Sequence, residues 1–229
     1  MTTAAADLKQ VQTLFEAELH LGHKKNRLHP RARKYVYRID NGVSIIDLTQ
    51  TVRQLNVAKE FIAKLKEENK VLLVVATKKV ASQVVSEFCK THSISFITTK
   101  WLPGLLTNFE TLAKNIKKLN DLKAAEAQGD WGALAKHEVV KLKKHLAKLE
   151  KFYGGISTLI KHPDALFIID SKKEANAVIE AAKSKIPVVA ITDTNTDPSS
   201  VTYPIVANDD SPKSIEYLIA ELLKPYATK

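Results

Sequence analysis

Three histidines and seven cations crowd residues 20–38, HLGHKKNRLHPRARKYVYR, with no Asp or Glu among them. Such a stretch could ligate a metal, shuttle protons or grip a polyanion. His20 and His23 are three residues apart, a spacing that suits one face of a helix. A metal would need a third or fourth ligand. The candidates are remote: Asp193 and Asp197 in DTNTD, Asp209 and Asp210 in NDD. Proton transfer fits less well, because flanking cations depress an imidazole pKa and no nucleophile is evident. The cations need no such completion. Lys24, Lys25, Arg27, Arg31, Arg33, Lys34 and Arg38 can follow an irregular phosphate backbone and displace its counterions. The arginines can also stack on an unpaired base or fork onto a phosphate. The preferred reading is a polyanion-gripping loop with structural histidines. No cofactor is expected, apart from a metal near His20 and His23 should distant acids complete it.

Charge supports this reading. The 229 residues carry 35 Lys and Arg against 25 Asp and Glu, a net charge of +10. That excess calls for a polyanionic partner. It is concentrated in residues 19–39 and, more weakly, in residues 110–152, whereas residues 164–229 hold more acids than cations. Apolar runs such as VLLVVA (71–76) are too short to cross a bilayer. The start, MTTAAADLKQVQ, has neither signal-peptide nor transit-peptide character. A cytoplasmic protein with no membrane partner is expected. Cys89 is the single cysteine, which excludes a disulfide framework and a cysteine-based zinc cluster; on one side of a helix it reads as a small buried hydrophobe.

The elements that must position the loop are read from periodicity. DLKQVQTLFEAEL suits a short amphipathic helix. Asp40-Asn41-Gly42 between YVYRI and VSIIDL predicts a hairpin. A helix follows over TQTVRQLNVAKEFIAKLKEEN, capped by Thr49 or Thr51. From residue 70 onward, buried strands (KVLLVVAT, SISFITT, DALFIID, PVVAIT, YPIVAN) alternate with amphipathic helices. Continuous Val/Ile runs of this kind mark a parallel sheet covered on both faces. The fold class is α/β: a flavodoxin-like three-layer domain with a mainly parallel sheet of about five strands, built from residues 1–104 and 154–229.

Residues 105–153 interrupt it. Leu105, Phe109, Leu112, Ile116 and Leu119 recur at steps of four and three, as do Val139, Leu142, Leu146, Leu149 and Tyr153. With Gly129, Asp130 and Gly132 between them, these seams predict an inserted antiparallel coiled-coil hairpin. Two ordinary crossover helices lying on the sheet are the plainer alternative.

A doubly wound sheet often houses an enzyme, which would need a phosphate grip. The loop after the first parallel strand, ATKKVAS, has no glycine, and no dinucleotide or P-loop glycine pattern occurs anywhere. Lys78 and Lys79 stand at a strand end and helix start, where an RNA phosphate or a nucleotide could sit. The acids of DTNTDP read as Asx-type turns before Pro198. A nucleotide- or metal-dependent enzyme or sensor on the same fold is the alternative function.

Several stretches together resemble the bacterial-type small-subunit ribosomal protein S-two family. They are HLGHKKNRLHPRARKYVYRIDNGVSIIDLTQTV, VATKKVA, KWLPGLLTNFETL, LEKFYGGI, PDALFIIDSKKEANAVIEA, IPVVAITDTNTDP and YPIVANDDSPKSIEYL, in the family's order over residues 15 to 223. The sequence departs from the family pattern at Ala76 and Pro103, where the family carries glycine. Proline at 103 fixes φ and removes a donor. The resemblance implies a non-catalytic structural constituent of the small ribosomal subunit. It implies binding to small-subunit rRNA and to neighbouring small-subunit proteins, including the large mRNA-binding one. Lys78, Lys79 and Lys100 form a second group assigned to RNA, and Asn108 lies where the predicted hairpin leaves the sheet. Trp101 reads as a packing anchor.

Overall fold

A computed structural model describes residues 2–227. The chain opens with helix α1 (Thr2–Glu16), then strand β1 (Leu21–Lys24), and two short 3-10 helices at 25–27 and 30–35. Strands β2 (Val36–Asp40) and β3 (Val43–Ile46) form the expected hairpin. At its tip both Asn41 (φ 47°) and Gly42 (φ 79°) are left-handed, as a tight two-residue turn between twisted strands requires. β1 pairs antiparallel with β3, giving a three-stranded sheet in the order β1-β3-β2.

Helix α2 (Leu48–Glu67) follows directly. Its cap is Asp47, whose carboxylate accepts from Thr49 N at 3.0 Å, rather than Thr49 or Thr51. Thr51 is instead buried, and its hydroxyl donates to the Val206 carbonyl at 2.8 Å.

The larger sheet contains β4 (Leu72–Val75), β5 (Ser95–Ile97), β6 (Ala165–Ile169), β7 (Val188–Thr192) and β8 (Tyr203–Val206). All its pairings are parallel and the order is β5-β4-β6-β7-β8. Taken from β4 onward this is 2-1-3-4-5, the flavodoxin-like doubly wound order. The central strands β4, β6 and β7 are buried throughout, on both faces, which is why they read as nearly unbroken apolar runs; the edge strands β5 and β8 are only partly covered.

Alternate residues of each strand feed two separate cores. Leu72, Val74, Phe167, Ile169, Val189 and Ile191 pack with α1, α2, α3 (Lys79–Thr91) and α7 (Pro212–Ala227). Leu73, Val75, Leu166, Ile168, Val188 and Ala190 pack with α6 (Ala175–Lys183), Trp101, Leu105 and Ile156.

The crossover from β5 to β6 carries two helices, α4 (Phe109–Gln128) and α5 (Lys136–Tyr153), joined through left-handed Gly129. They run against each other: Asn115 Nδ2 donates to Tyr153 OH, and Lys123 meets Glu150 at 2.6 Å. Leu105 lies outside α4 and Ile116 belongs to the core under the sheet, so the base of this pair is part of the main packing. Further out, Leu119, Leu149 and, at the turn, Trp131 are buried.

Candidate nucleic-acid interface

The basic run is neither an open loop nor a helix. Its first part is β1, an unpatterned strand held by pairing with β3. Its middle is shaped by Pro30, which starts the 30–35 turn of 3-10 helix, and by His29, whose Nδ1 accepts from Arg31 N. His20 lies in the turn before β1 and His23 on β1, so the two do not share a helical face, contrary to the spacing argument. His20 stacks on Phe15 with ring centroids 4.0 Å apart. His23 points to the ends of β7 and β8.

There the small sheet is latched to the large one. His23 Nδ1 lies 2.6 Å from the buried Asp193 carboxylate, and Asn195 Nδ2 lies 2.9 Å from His23 Nε2. The His23 N–H donates to Thr194 Oγ1 (2.9 Å), and His29 N–H to the Thr194 carbonyl (2.8 Å). Gly22 is required at this contact: a Cβ on it would sit 2.7 Å from Thr194 Cγ2. Arg31 completes the latch, donating to Asp197 (2.7 Å) and Ser199 (3.0 Å). Asp197 also caps the turn at Pro198 by accepting from Ser199 N, the Asx turn expected in DTNTDP. The flanking cations do not depress His23. The hydrogen bond to Asp193 raises its pKa above the ordinary 6.5 against the opposing effect of burial, helped by the charges of Asp193, Asp209 and Asp210.

Beneath the latch is a cluster of opposite sign. Lys78 Nζ contacts Asp209 and Asp210 at 2.7 Å each and Asp170 at 3.6 Å. Burial works to lower its pKa, but these carboxylates outweigh it and hold the ammonium at about 12. Asp209, only 2% exposed, is pushed up to about 7 by burial, with Asp170 and Asp193 adding to the effect. Thr77 donates to buried Glu174, and Lys173 Nζ reaches the Thr77 carbonyl at 2.9 Å. The strand order reverses between β4 and β6, where doubly wound proteins hold ligands. Here the chain's own ion pairs occupy the Lys78 side of that crevice, and beside them an open cleft of about 360 Å³ is lined by Thr77, Lys100, Lys173 and Glu174. His23, Asp193 and Asp210 offer ligand atoms within 4.8 Å of one another, a set able to hold a metal ion. In the structure His23 Nε2 is engaged by Asn195, the Asp210 carboxylate by Lys78, and the Asp193 carboxylate by His23 Nδ1 and Thr194.

The remaining cations face outward. Lys24, Lys25, Arg27, Arg31, Arg33, Lys34 and Arg38 are all exposed. Lys24, Lys25 and Arg33 meet no acid among the described residues, Arg38 only grazes Asp40 at 3.5 Å, and Lys34 lies over the Tyr35 ring. The charge of Arg27 reaches Asp210. Lys79 and Lys100 are exposed near the ends of β4 and β5. Asn108 occupies the cap position of α4 and accepts from Thr111 Oγ1. Lys100, Trp101, Pro103, His145 and Lys148 line part of a cleft of about 430 Å³.

The 101–106 loop owes its shape to Glu180, a residue that no sequence motif singles out. Its carboxylate accepts from Trp101 Nε1 (3.1 Å), Gly104 N (2.9 Å) and Leu106 N (3.3 Å). Trp101 is thus a buried anchor, as expected. Pro103 contributes no donor, and none is asked of it.

A doubly wound α/β domain with a basic antiparallel module latched over its strand ends is a member of the flavodoxin-like class. The family model described as Ribosomal protein S2 matches residues 14–228. The chain belongs to that family, and with it to the structural constituents of the small ribosomal subunit. Among the described residues no helix is long and apolar enough to cross a membrane.

Proposed function

We propose that the chain docks on small-subunit rRNA through the latched module of residues 20–38. Lys24, Lys25, Arg27, Arg33, Lys34 and Arg38 face phosphates, and Arg31 divides its guanidinium between Asp197 and the RNA. The observation that carries this is the set of exposed cations, Lys24, Lys25 and Arg33 foremost, with no acid among the described residues to neutralise them. Structured RNA is held largely through its phosphates and its shape, which a rigid basic surface matches. Lys79, Lys100 and Asn108 extend the contact along the strand ends. Lys78 serves as the counter-ion of Asp209 and Asp210. The α4–α5 pair is an inserted arm that offers a further RNA or protein surface. Other small-subunit proteins, among them the large mRNA-binding one, are the protein neighbours, in the cytoplasm and on the ribosome. The role is non-catalytic.

An enzyme acting on nucleotides is disfavoured by charge. A phosphate at the switch point would meet Asp170, Glu174, Asp193, Asp209 and Asp210 against Lys78 and Lys173, and Lys78 is already engaged by three of those acids, which leaves the acids in excess.

The test is rebinding of the full chain to small subunits stripped of it. Reversing Arg27 and Arg33 together to Glu is expected to weaken rebinding. It should also flatten the salt dependence, by about 0.7–0.9 of a log unit per log unit of salt for each phosphate left unneutralised. Wild-type rebinding by the folded variant would overturn the assignment.

A further inference from the structure

We propose that Tyr37 is a stacking platform for an unpaired RNA base, an inference that rests on the RNA-binding reading of the same module. Tyr37 is 73% exposed, the most exposed aromatic side chain among the large hydrophobic residues at the surface. Its hydroxyl has no partner among the described residues.

Its position is built rather than accidental. On β2, Val36 pairs with Ile46 and Arg38 with Ile45, so two steps on one strand match one step on the other. Tyr37 is the extra residue of that bulge. Bulges re-aim a side chain and recur beside functional sites. β2 is also an edge strand of the small sheet, so the ring stands clear of a neighbouring strand on one side. An exposed tyrosine on a short edge strand does nothing for packing.

Tyr35, two residues earlier, gives the contrast. It is half-buried, its carbonyl accepts from Asp47 N at 2.8 Å, and Lys34 lies 5.0 Å from its ring centre. Tyr35 is committed to the fold, whereas Tyr37 is not.

The surroundings select the occupant. Pairing places Arg38 in one row with Ile45 and Leu21, and Asp40 in the next row with Val43 and Lys24. Opposed residues in an antiparallel pair project from one side. That side therefore presents apolar Leu21, Val43 and Ile45 framed by Arg38 and Lys24, with Asp40 between these two cations and 3.5 Å from Arg38. An aromatic ring beside apolar and cationic groups is how single-stranded nucleic acid is held: bases on the flat surfaces, phosphates on the cations. A duplex offers no free base face, so the base must be unpaired.

The experiment uses the full chain and small subunits stripped of it. The expected result is that Tyr37→Phe rebinds like wild type and Tyr37→Leu rebinds about 5- to 150-fold more weakly, the range spanned by one base stack. All variants should melt together, since the side chain is exposed. Tyr37→Trp adds a spectroscopic readout. The two natural tryptophans, Trp101 and Trp131, are buried, so a new exposed indole emits to the red of both. On rebinding, its emission should be quenched and ultraviolet light should crosslink it to RNA. Equal rebinding of Tyr37→Leu, or an indole that stays solvent-like, sinks the proposal. Crosslinking to protein alone also overturns it and assigns the ring to a protein neighbour. The two readings fail separately: wild-type rebinding by the Arg27/Arg33 reversal removes RNA binding by the module, whereas weak rebinding of that reversal with normal rebinding of Tyr37→Leu removes only the stack.

Discussion

Replacing Lys78 with Met is the sharpest test of the cluster beneath the module. Met keeps the apolar stem but removes the ammonium that Asp209, Asp210 and Asp170 share. Asp210 is open to water and loses little. Asp209 is 2% exposed and is left as a buried carboxylate with like charges beside it. Breaking a buried pair from one side costs about 3–5 kcal/mol; with one partner solvated, about 3 kcal/mol is expected here. For a chain of this size that lowers Tm by roughly 6–12 °C.

The loss should depend on pH. Asp209 ionises near 3.8 when unfolded and near 7 in the folded protein. Between those values the native state keeps a proton that the unfolded state has released, so this group's contribution is fully present below pH 3.8 and fades as pH rises through 7. Without Lys78 the carboxyl holds its proton to still higher pH. The variant should therefore lie nearer to wild type at about pH 5.5 than at about pH 8. Urea unfolding followed by circular dichroism at both pH values measures this. A Lys78→Met chain as stable as wild type at the higher pH would refute the counter-ion role, and weakened RNA binding without loss of stability would return Lys78 to the RNA surface.

Three further outcomes are expected. Glu180→Ala leaves the donors of Trp101, Gly104 and Leu106 unmet; it should cost about 2 kcal/mol and shift Trp101 emission to the red, read by fluorescence during denaturant unfolding. Gly155→Ala would place a Cβ 2.3 Å from the Phe96 carbonyl and should lower Tm by several degrees, about 1–3 kcal/mol, whereas Gly132→Ala, with nothing within 4 Å, should melt like wild type. Cys89 is buried and its thiol is pushed up to about 12 by that burial, so a thiol reagent such as Ellman's should label it only after unfolding.

The five-strand sheet was legible because burial of its central strands on both faces writes itself as nearly unbroken apolar runs, and Asn41-Gly42 announced its own hairpin. β1 was not legible. LGHK has no β-branched residue, and it is a strand only because β3 lies beside it. The helix spacing assigned to His20 and His23 failed for the same reason. The α2 cap sits two residues before Thr49, since Asp47 reads equally as the end of the preceding strand. At the candidate site, the cations of residues 20–38 are visible as a run, and Asp193, Asp209 and Asp210 stand out as remote acids. What no local pattern shows is that topology carries residues about 170 positions away onto His23, and Asp209 and Asp210 onto Lys78. Lys78 reads as an anion seat because its own neighbourhood in sequence is basic.

The latch has a consequence for the entropy of docking. Residues 22–31 are tied by His23, His29 and Arg31 to the loop at 193–199 before any partner arrives. Ordering a free segment costs about 1–2 kcal/mol per residue in backbone freedom alone. In this chain that cost falls on folding, not on association. A partner therefore meets a formed surface, and the attraction between them goes into affinity instead of being consumed in shaping a loop.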